Sequence, residues 1–207
     1  MKVLILCAAV LCIAACKKTG SEGNNDPGTF PDKVGDSWVY LVNDTTRENG
    51  LITSIDNYNM TVSVVKNIVL PGGVNANVWV YSTPAGSDTC YVVKTTDTLH
   101  FTNVHGNGRQ ILERQYIIPV TLNTSWPYTN SFMNVNVDAQ ADITVGSKLF
   151  KNAEHIYGSS GMPDAVFRVE EWFENKVGTV KRYIDPYGEM LTTKHYVSWS
   201  LVSYHLQ

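Results

Sequence analysis

The side chains that most often carry enzyme chemistry are present in this 207-residue sequence, but none falls in a recognisable catalytic or metal-binding pattern. The five histidines are scattered, and they lack the H-x-x-x-H and H-E-x-x-H spacings that place two ligands on one helix face. Ser87 and Ser160 each lie beside a glycine, but neither has the G-x-S-x-G flanks of a nucleophile elbow or a helix after it. We therefore predict no catalytic residue, no metal site and no cofactor.

Acidic side chains cluster at Glu170, Glu171 and Glu174. A glycoside hydrolase uses two carboxylic acids about 5–10 Å apart across a cleft. Consecutive residues of a strand point to opposite faces, so Glu170 and Glu171 do not form such a pair. We interpret these residues as solvated charges that protect an edge or the outer face of a sheet. A hydrolase whose site is assembled from distant residues stays an alternative, and it would show perturbed pKa values in a cleft.

The cysteine with a clear chemical role is Cys16. Residues 1–15 begin with a single cation, Lys2, and continue as an apolar run that is too short to span a bilayer and ends in Ala14 and Ala15. This pattern predicts a cleaved secretory signal peptide. Residues 13–16, IAAC, resemble the lipobox of bacterial lipoproteins, which implies that lipid is attached to the Cys16 thiol. Several acyl chains there would anchor the protein to a membrane, because each buried CH₂ contributes about 0.8 kcal/mol.

The lipidated segment, residues 16–29, has the sequence CKKTGSEGNNDPGT and is predicted to be a flexible tether, since no apolar side chain follows the cysteine. A lysine at position 17 resembles lipoproteins that are sent to the outer membrane. Whether the protein would face the periplasm or the cell surface stays open. Residues 30–207 are predicted to be one domain, long enough to bury a substantial core.

Charge and cysteine content exclude some partners and bonds. Without Lys2 the mature chain has 15 basic and 19 acidic residues, a net charge of −4, and its longest basic run has two residues. Nucleic acid is therefore not expected as a partner. Cys7 and Cys12 leave with the signal peptide, so Cys90 has no partner for an internal disulfide. We predict Cys90 to be a small buried residue of a strand.

Alternation with a period of two predicts an all-β domain. Apolar and polar residues alternate strictly from Met133 to Val145, which predicts one half-buried antiparallel strand about 43 Å long at about 3.3 Å per residue. Most strands have about 5–6 residues, so this length favours a large curved antiparallel sheet, an open half-barrel or barrel-like, with a two-sheet β-sandwich as the alternative. Further strands are predicted at 37–42, 58–65, 77–82, 88–94, 98–103, 109–116, 150–157, 166–173, 179–184 and 193–206.

A ten-residue pattern, P-x-x-aliphatic-x-x-S-W-x-Y, occurs at 31–40 and again at 119–128. We expect each copy to be a turn that delivers its tryptophan into the core. The segment 78–81, VWVY, is apolar on both faces of a strand, so the sheet is either covered on both sides there or exposes an aromatic face. Trp79 and Tyr81 are therefore the candidate ligand-binding residues, on a concave sheet that could receive a lipid tail, a peptide strand or a sugar ring.

Four segments resemble a family of lipoproteins that is common in the Bacteroidota, and together they cover most of the domain in order. The family has no assigned activity or catalytic residues, so the resemblance implies an all-β envelope protein, reminiscent of lipoprotein-carrier folds, and no active site. One departure is NK at 175–176, where the family favours Lys-Gly. The matching segments are 30–40, FPDKVGDSWVY; 144–153, TVGSKLFKNA; 172–181, WFENKVGTVK; and 201–204, LVSY.

The sequence thus predicts a membrane-anchored lipoprotein of the cell envelope, held through its lipid and directed to the outer membrane. We favour a non-enzymatic module that binds a small apolar ligand, a glycan or an envelope protein. A structural or accessory subunit of an outer-membrane assembly is the alternative, and it would show a flat apolar patch instead of a pocket. A hydrolase with an unrecognised site is the third class.

Overall fold

The computed structural model describes residues 30–104, 110–128, 133–160, 168–185 and 193–207. In these ranges the protein contains strands and turns, and no helix long and apolar enough to cross a membrane. The strands are β1 (Ser37–Glu48), β2 (Leu51–Leu70), β3 (Val74–Thr83), β4 (Gly86–Lys94), β5 (Thr98–Val104), β6 (Gln110–Ile117), β7 (Ser125–Pro127), β8 (Asn134–Val145), β9 (Lys148–Ser159), β10 (Arg168–Glu174), β11 (Gly178–Asp185) and β12 (Thr193–His205).

All twelve strands belong to one antiparallel sheet, in the order β6-β5-β4-β3-β2-β1-β12-β11-β10-β9-β8-β7. Except for β6 and β7, which are the two edges of the sheet, strands that are neighbours in the chain pair with each other, and β1 pairs with β12 to join the two halves. The edge strands β6 and β7 meet through backbone and side-chain hydrogen bonds: Gln115 N donates to Tyr128 O at 2.9 Å, and Trp126 Nε1 donates to Gln115 O at 2.7 Å. The sheet is therefore a nearly closed barrel, which confirms the barrel-like prediction over the sandwich.

The strands fall where the sequence predicts them, and most are longer. β2 has 20 residues where the pattern predicts only 58–65, because its two ends pair with β1 and β3 while most of their side chains stay exposed. The alternating segment forms β8, in which Val135 and Val137 are buried. β8 pairs with β9 through two bulges that shift the register. The segment predicted at 109–116 is β6, and the three-residue β7 is not predicted.

One end of the barrel, called the closed end, is filled by the N-terminal segment. The ring of Phe30 stacks between Trp79 and Phe173, with ring centroids 5.9 and 5.8 Å away. Lys94 Nζ donates to Phe30 O at 3.1 Å. A Cβ added at Gly178 would lie 3.3 Å from the Phe30 ring, so this glycine leaves room for the aromatic plug. Phe30, the first described residue, therefore lies at the closed end.

The termini of the domain are tied together at the same end. Asp36 is almost fully buried, and its carboxylate accepts from Lys33 N and from Gln207 N, both at 2.7 Å. Gly35 N donates to Val64 O, which attaches the segment to β2. The opposite end, which Phe30 does not fill and which is called the open end for that reason, carries the β1–β2 turn at 49–50 and the β3–β4 turn at 84–85.

The repeated tryptophan pattern places both indoles in the core, as predicted. Trp38 and Trp126 are 1% and 3% exposed. Trp38 Nε1 donates to Val177 O at 2.6 Å, so β1 is linked to the turn between β10 and β11. The Trp126 indole bridges the gap between β6 and β7. The first copy therefore links parts of the barrel that are distant along the chain, and the second links the two edge strands.

Candidate functional site

A small cavity of about 30 Å³ lies inside the barrel, between Phe30 and the open end. Trp79, Tyr81, Arg114 and Trp199 all line it, on strands β3, β6 and β12. Their side chains point into the barrel. Trp199, for example, lies directly opposite the buried Val42 on the neighbouring strand β1, so both side chains are on the same face of the sheet. The two residues predicted from the sequence, Trp79 and Tyr81, are thus brought together with two that are not predicted.

Trp79 is a core residue. It is 5% exposed, stacks on Trp38 at a centroid distance of 4.8 Å, and meets Phe101 edge to face at 5.5 Å. Val78 is also buried, so the sheet is covered on both faces at this point. Among the described residues, nothing accepts a hydrogen bond from the buried Trp79 Nε1.

Tyr81 lies two residues nearer the open end and is half-buried. Its hydroxyl accepts a hydrogen bond from Arg114 Nη2 at 2.8 Å. The guanidinium of Arg114 sits 4.1 Å from the centroid of the Phe101 ring, a cation–π contact. The buried Nε of Arg114, like the Trp79 indole, has no hydrogen-bond partner in the described part of the chain.

A polar cluster around Glu171 lies deeper in the barrel. The Glu171 carboxylate is fully buried. Its Oε1 accepts from Tyr128 at 2.6 Å and pairs with Arg182 Nε at 3.0 Å. Its Oε2 accepts from Tyr116 at 2.8 Å and from Thr179 at 3.3 Å. Both oxygens therefore have two partners each, and the charge is fully compensated inside the protein.

This cluster corrects the interpretation of Glu170 and Glu171 as solvated charges. The two side chains do point to opposite faces, and Glu170 is paired with Arg168 on the outside. Glu171 instead points inward because it lies on the same face of β10 as the buried Val169 and Phe173. Burial of a carboxylate is tolerable here because Arg182 and three hydroxyl groups surround it.

The buried tyrosines stay neutral over a wide pH range. Burial raises the pKa of Tyr116 to about 12, and the negative charge of Glu171 is the second-largest cause of this increase. Burial also raises the pKa of Tyr128 and of Tyr81, although Arg182 and Arg114, respectively, oppose the shift. These hydroxyl groups therefore act as hydrogen-bond donors and not as bases near neutral pH.

The other chemically active side chains of the described ranges do not line the cavity. Cys90 is buried, as predicted, and its thiol donates to Thr102 O at 3.5 Å. His155 pairs with Asp138 at 2.6 Å on the outer face, and the described ranges contain no group of three or more metal-ligating side chains. A separate groove of about 300 Å³ on the outer face is lined by residues that include Tyr183 and Tyr196, whose rings stack with centroids 6.4 Å apart.

Asn175, one of the two residues at 175–176 that differ from the Lys-Gly of the resembling family, makes a structural contact. Asn175 Oδ1 accepts from Val120 N at 2.7 Å, and Asn175 Nδ2 donates to Val120 O at 2.9 Å. The amide thus pairs with both backbone groups of one residue, and it ties the β10–β11 turn to the segment between β6 and β7.

Comparison with known proteins identifies the fold. No family model and no curated protein matches the sequence. A crystal structure of a candidate lipoprotein from Parabacteroides distasonis ATCC 8503 superposes with a TM-score of 0.51 at 14% identity, over 86% of this chain and 99% of that one. A candidate exported protein with a YmcC-like fold from Bacteroides fragilis NCTC 9343 gives a TM-score of 0.46 at 10% identity, over 86% and 100% of the two chains. At these identities the first likeness shows a shared fold.

Proposed function

We propose that this chain is a lipid-anchored protein of the bacterial cell envelope that binds a small ligand in its barrel and does not act as an enzyme. The lipobox at 13–16 supports lipidation of Cys16. The similarity of fold to the candidate lipoprotein from Parabacteroides distasonis agrees with this assignment. The lysine after Cys16 supports the outer membrane as the destination.

The position of the tether supports an orientation. Residues 17–29 lead from the lipid to Phe30, which plugs the closed end of the barrel. A flexible chain of this length has an end-to-end distance of about 20 Å. We infer that the closed end faces the membrane and that the open end is presented to the aqueous space, where a ligand can reach it.

The observation that carries the binding role is the pair of unpartnered buried atoms beside one cavity. More than about 90% of buried polar groups in proteins have a hydrogen-bond partner. Trp79 Nε1 and Arg114 Nε are among the buried atoms of the described residues that lack one, and both residues line the same cavity. A ligand that accepts from these donors would complete the interior.

The same geometry argues against catalysis by the buried carboxylate. Glu171 accepts hydrogen bonds from three hydroxyl groups and forms an ion pair with Arg182. A group that is paired in this way stabilises the fold and is not available as a general base.

Anchoring is tested by fractionating envelopes from cells that express the full chain or its Cys16→Ser variant, with Cys90→Ala as the matched control. We expect the wild type and Cys90→Ala to sediment with membranes and to incorporate a labelled fatty acid, and Cys16→Ser to do neither. A Cys16→Ser variant that still sediments with membranes and incorporates the labelled fatty acid would contradict the assignment.

Binding is tested by thermal unfolding of protein purified from its own envelope, before and after mild organic extraction. Occupancy by a ligand stabilises the folded state by mass action, so extraction should lower the Tm and return of the extract should restore it. Identical Tm values, with no response to the extract, would contradict ligand binding.

An accessory-subunit role has one observation in its favour. Leu51, Ile52 and Ile55 at the tip of the β1–β2 hairpin are 73%, 52% and 54% exposed, at the end away from the tether. A photo-crosslinker placed at Ile52 in intact envelopes would capture one partner reproducibly if the tip is a docking surface. The same crosslinker at Leu149, which is also exposed but lies at the closed end, is the control.

A further inference from the structure

We propose that the cavity inside the barrel is an anion site, and that it takes the carboxylate group of a small apolar acid with Arg114 as its counter-ion. This inference rests on the proposed ligand-binding function and adds the chemical class of the ligand.

Charge balance is the first argument. The described interior holds two guanidinium groups, Arg114 and Arg182, and Arg182 is paired with Glu171. Glu171 already has two partners on each oxygen, so it has no position left for Arg114. Arg114 makes no ion pair with any described residue, although a guanidinium stays charged at every pH at which proteins are folded. An uncompensated charge in a protein interior is strongly unfavourable, and an anionic ligand would remove that penalty.

The type of polar group facing the cavity is the second argument. Trp79 Nε1 and Arg114 Nε can only donate, and no described residue accepts from them. The Tyr81 hydroxyl accepts from Arg114 and retains its own proton for donation. Two unpartnered donors in one cavity favour a ligand group that accepts, and hydrogen bonds from a guanidinium to a carboxylate are among the strongest in proteins.

The rings around Arg114 do not replace an anion. Its guanidinium lies 4.1 Å from the Phe101 ring centroid and 6.0 Å from that of Tyr81. These faces attract the cation and hold it in place. They leave the Nε–H without an acceptor and the charge without a counter-ion.

Size limits the ligand. The cavity volume of about 30 Å³ admits roughly two water-sized atoms, which corresponds to the two oxygens of one carboxylate and not to the four of a phosphate. Tyr81 and Trp199 are half-buried on the open-end side, so their rings offer an apolar path for a short aliphatic or aromatic tail.

The five tryptophans of the chain provide the readout. Full-length lipidated protein in a neutral maltoside micelle, labelled with ¹⁵N at the indoles, is titrated with hexanoate and separately with hexanol. The Trp79 signal is assigned from the Trp79→Phe variant. We expect hexanoate to shift the Trp79 resonance saturably, while the resonances of Trp38 and Trp126, which already donate to backbone carbonyls, stay in place and report an intact barrel.

Substitutions at Arg114 distinguish the effect of its charge on binding from an effect on folding. Arg114→Met should weaken hexanoate binding at least tenfold, and Arg114→Lys should weaken it less because the charge is kept. The matched control is Arg168→Met on the outer face, which should bind like the wild type. If Arg114→Met does not fold, as its Trp38 and Trp126 signals would reveal, the comparison of Arg114→Lys with the wild type carries the test.

The outcomes distinguish the two proposals. Hexanol that shifts Trp79 as strongly as hexanoate would overturn the anion site and leave ligand binding in the barrel intact. A Trp79 resonance that neither compound moves would overturn the anion site, and the thermal comparison before and after extraction would then decide ligand binding by itself.

Discussion

Glu171 and Arg182 form an ion pair of 3.0 Å in the interior of the barrel, where the side chains are 0% and 7% exposed. The pair joins neighbouring strands, β10 and β11, and the Tyr128 hydroxyl links it to the segment that follows β7. The buried polar cluster therefore connects the body of the sheet to its edge, at the place where the barrel is not closed by a continuous ladder.

Removal of the Glu171 carboxylate should destabilise the fold strongly. Glu171→Ala leaves Arg182 buried without its partner, a change that typically costs about 3–5 kcal/mol. Urea-induced unfolding measures the effect. Glu170→Ala, at the adjacent position on the outer face, should change stability by less than about 0.5 kcal/mol. Equal effects of the two substitutions would show that the interior ion pair does not stabilise the barrel.

Alkaline pH should unfold the protein through its buried tyrosines. A tyrosine in the unfolded chain ionises near pH 10, whereas the pKa of Tyr116 in the folded protein is about 12. Between these values the folded state binds more protons, so the stability contributed by Tyr116 is complete below about pH 10 and is lost as the pH rises through 12. Absorbance at 295 nm should show exposed tyrosines ionising first and a second group ionising only with cooperative unfolding. A single tyrosine titration centred near pH 10 in the folded protein would contradict the burial of these hydroxyl groups.

The aromatic plug at the closed end should matter for stability. Phe30→Ala removes a ring that stacks on Trp79 and Phe173, and truncation of a buried phenylalanine costs about 3–5 kcal/mol. Leu51→Ala, at a side chain that is 73% exposed, is the control with an expected change below about 0.5 kcal/mol. A Phe30→Ala protein as stable as the control would mean that the N-terminal segment does not close the barrel in solution.

The indole of Trp126 should hold the edge strands β6 and β7 together. Trp126→Phe keeps an aromatic ring but removes the donor to Gln115 O, which should cost about 1–3 kcal/mol. Hydrogen exchange should accelerate at Gln115 N, whose bond to Tyr128 O crosses the gap between these strands, and should stay unchanged in β1 and β2. Faster exchange across the whole sheet would indicate global destabilisation instead of local opening.

Much of the fold follows from the sequence because an alternation of period two is a local property. The strands of the meander and the two buried tryptophans of the repeated pattern are predicted from neighbouring residues alone. β7 is not predicted because three residues with an exposed serine and a proline carry no alternation. Its strand character comes from pairing with β8.

The polar residues of the interior are harder to predict because their burial depends on strands that are distant in the chain. Glu171 is covered by side chains from β6 and β11 and from the segment after β7, none of which its own strand reveals. A local indication does exist, because residues two apart on a strand face the same side. Glu171 lies on the same face as Val169 and Phe173, and Arg114 lies on the same face as Tyr116. A charged residue in the apolar phase of a strand predicts a buried charge, but not its partner.

A ligand that enters the barrel through its open end should be visible by native mass spectrometry of the mature lipidated protein purified from its own envelope. We expect a complex with an excess mass that mild organic extraction releases. The released compound should carry a carboxylic acid, and it should be absent from Arg114→Met but present in Arg168→Met. A protein whose mass equals that of the lipidated chain alone, identical before and after extraction in wild type and both variants, would contradict this expectation.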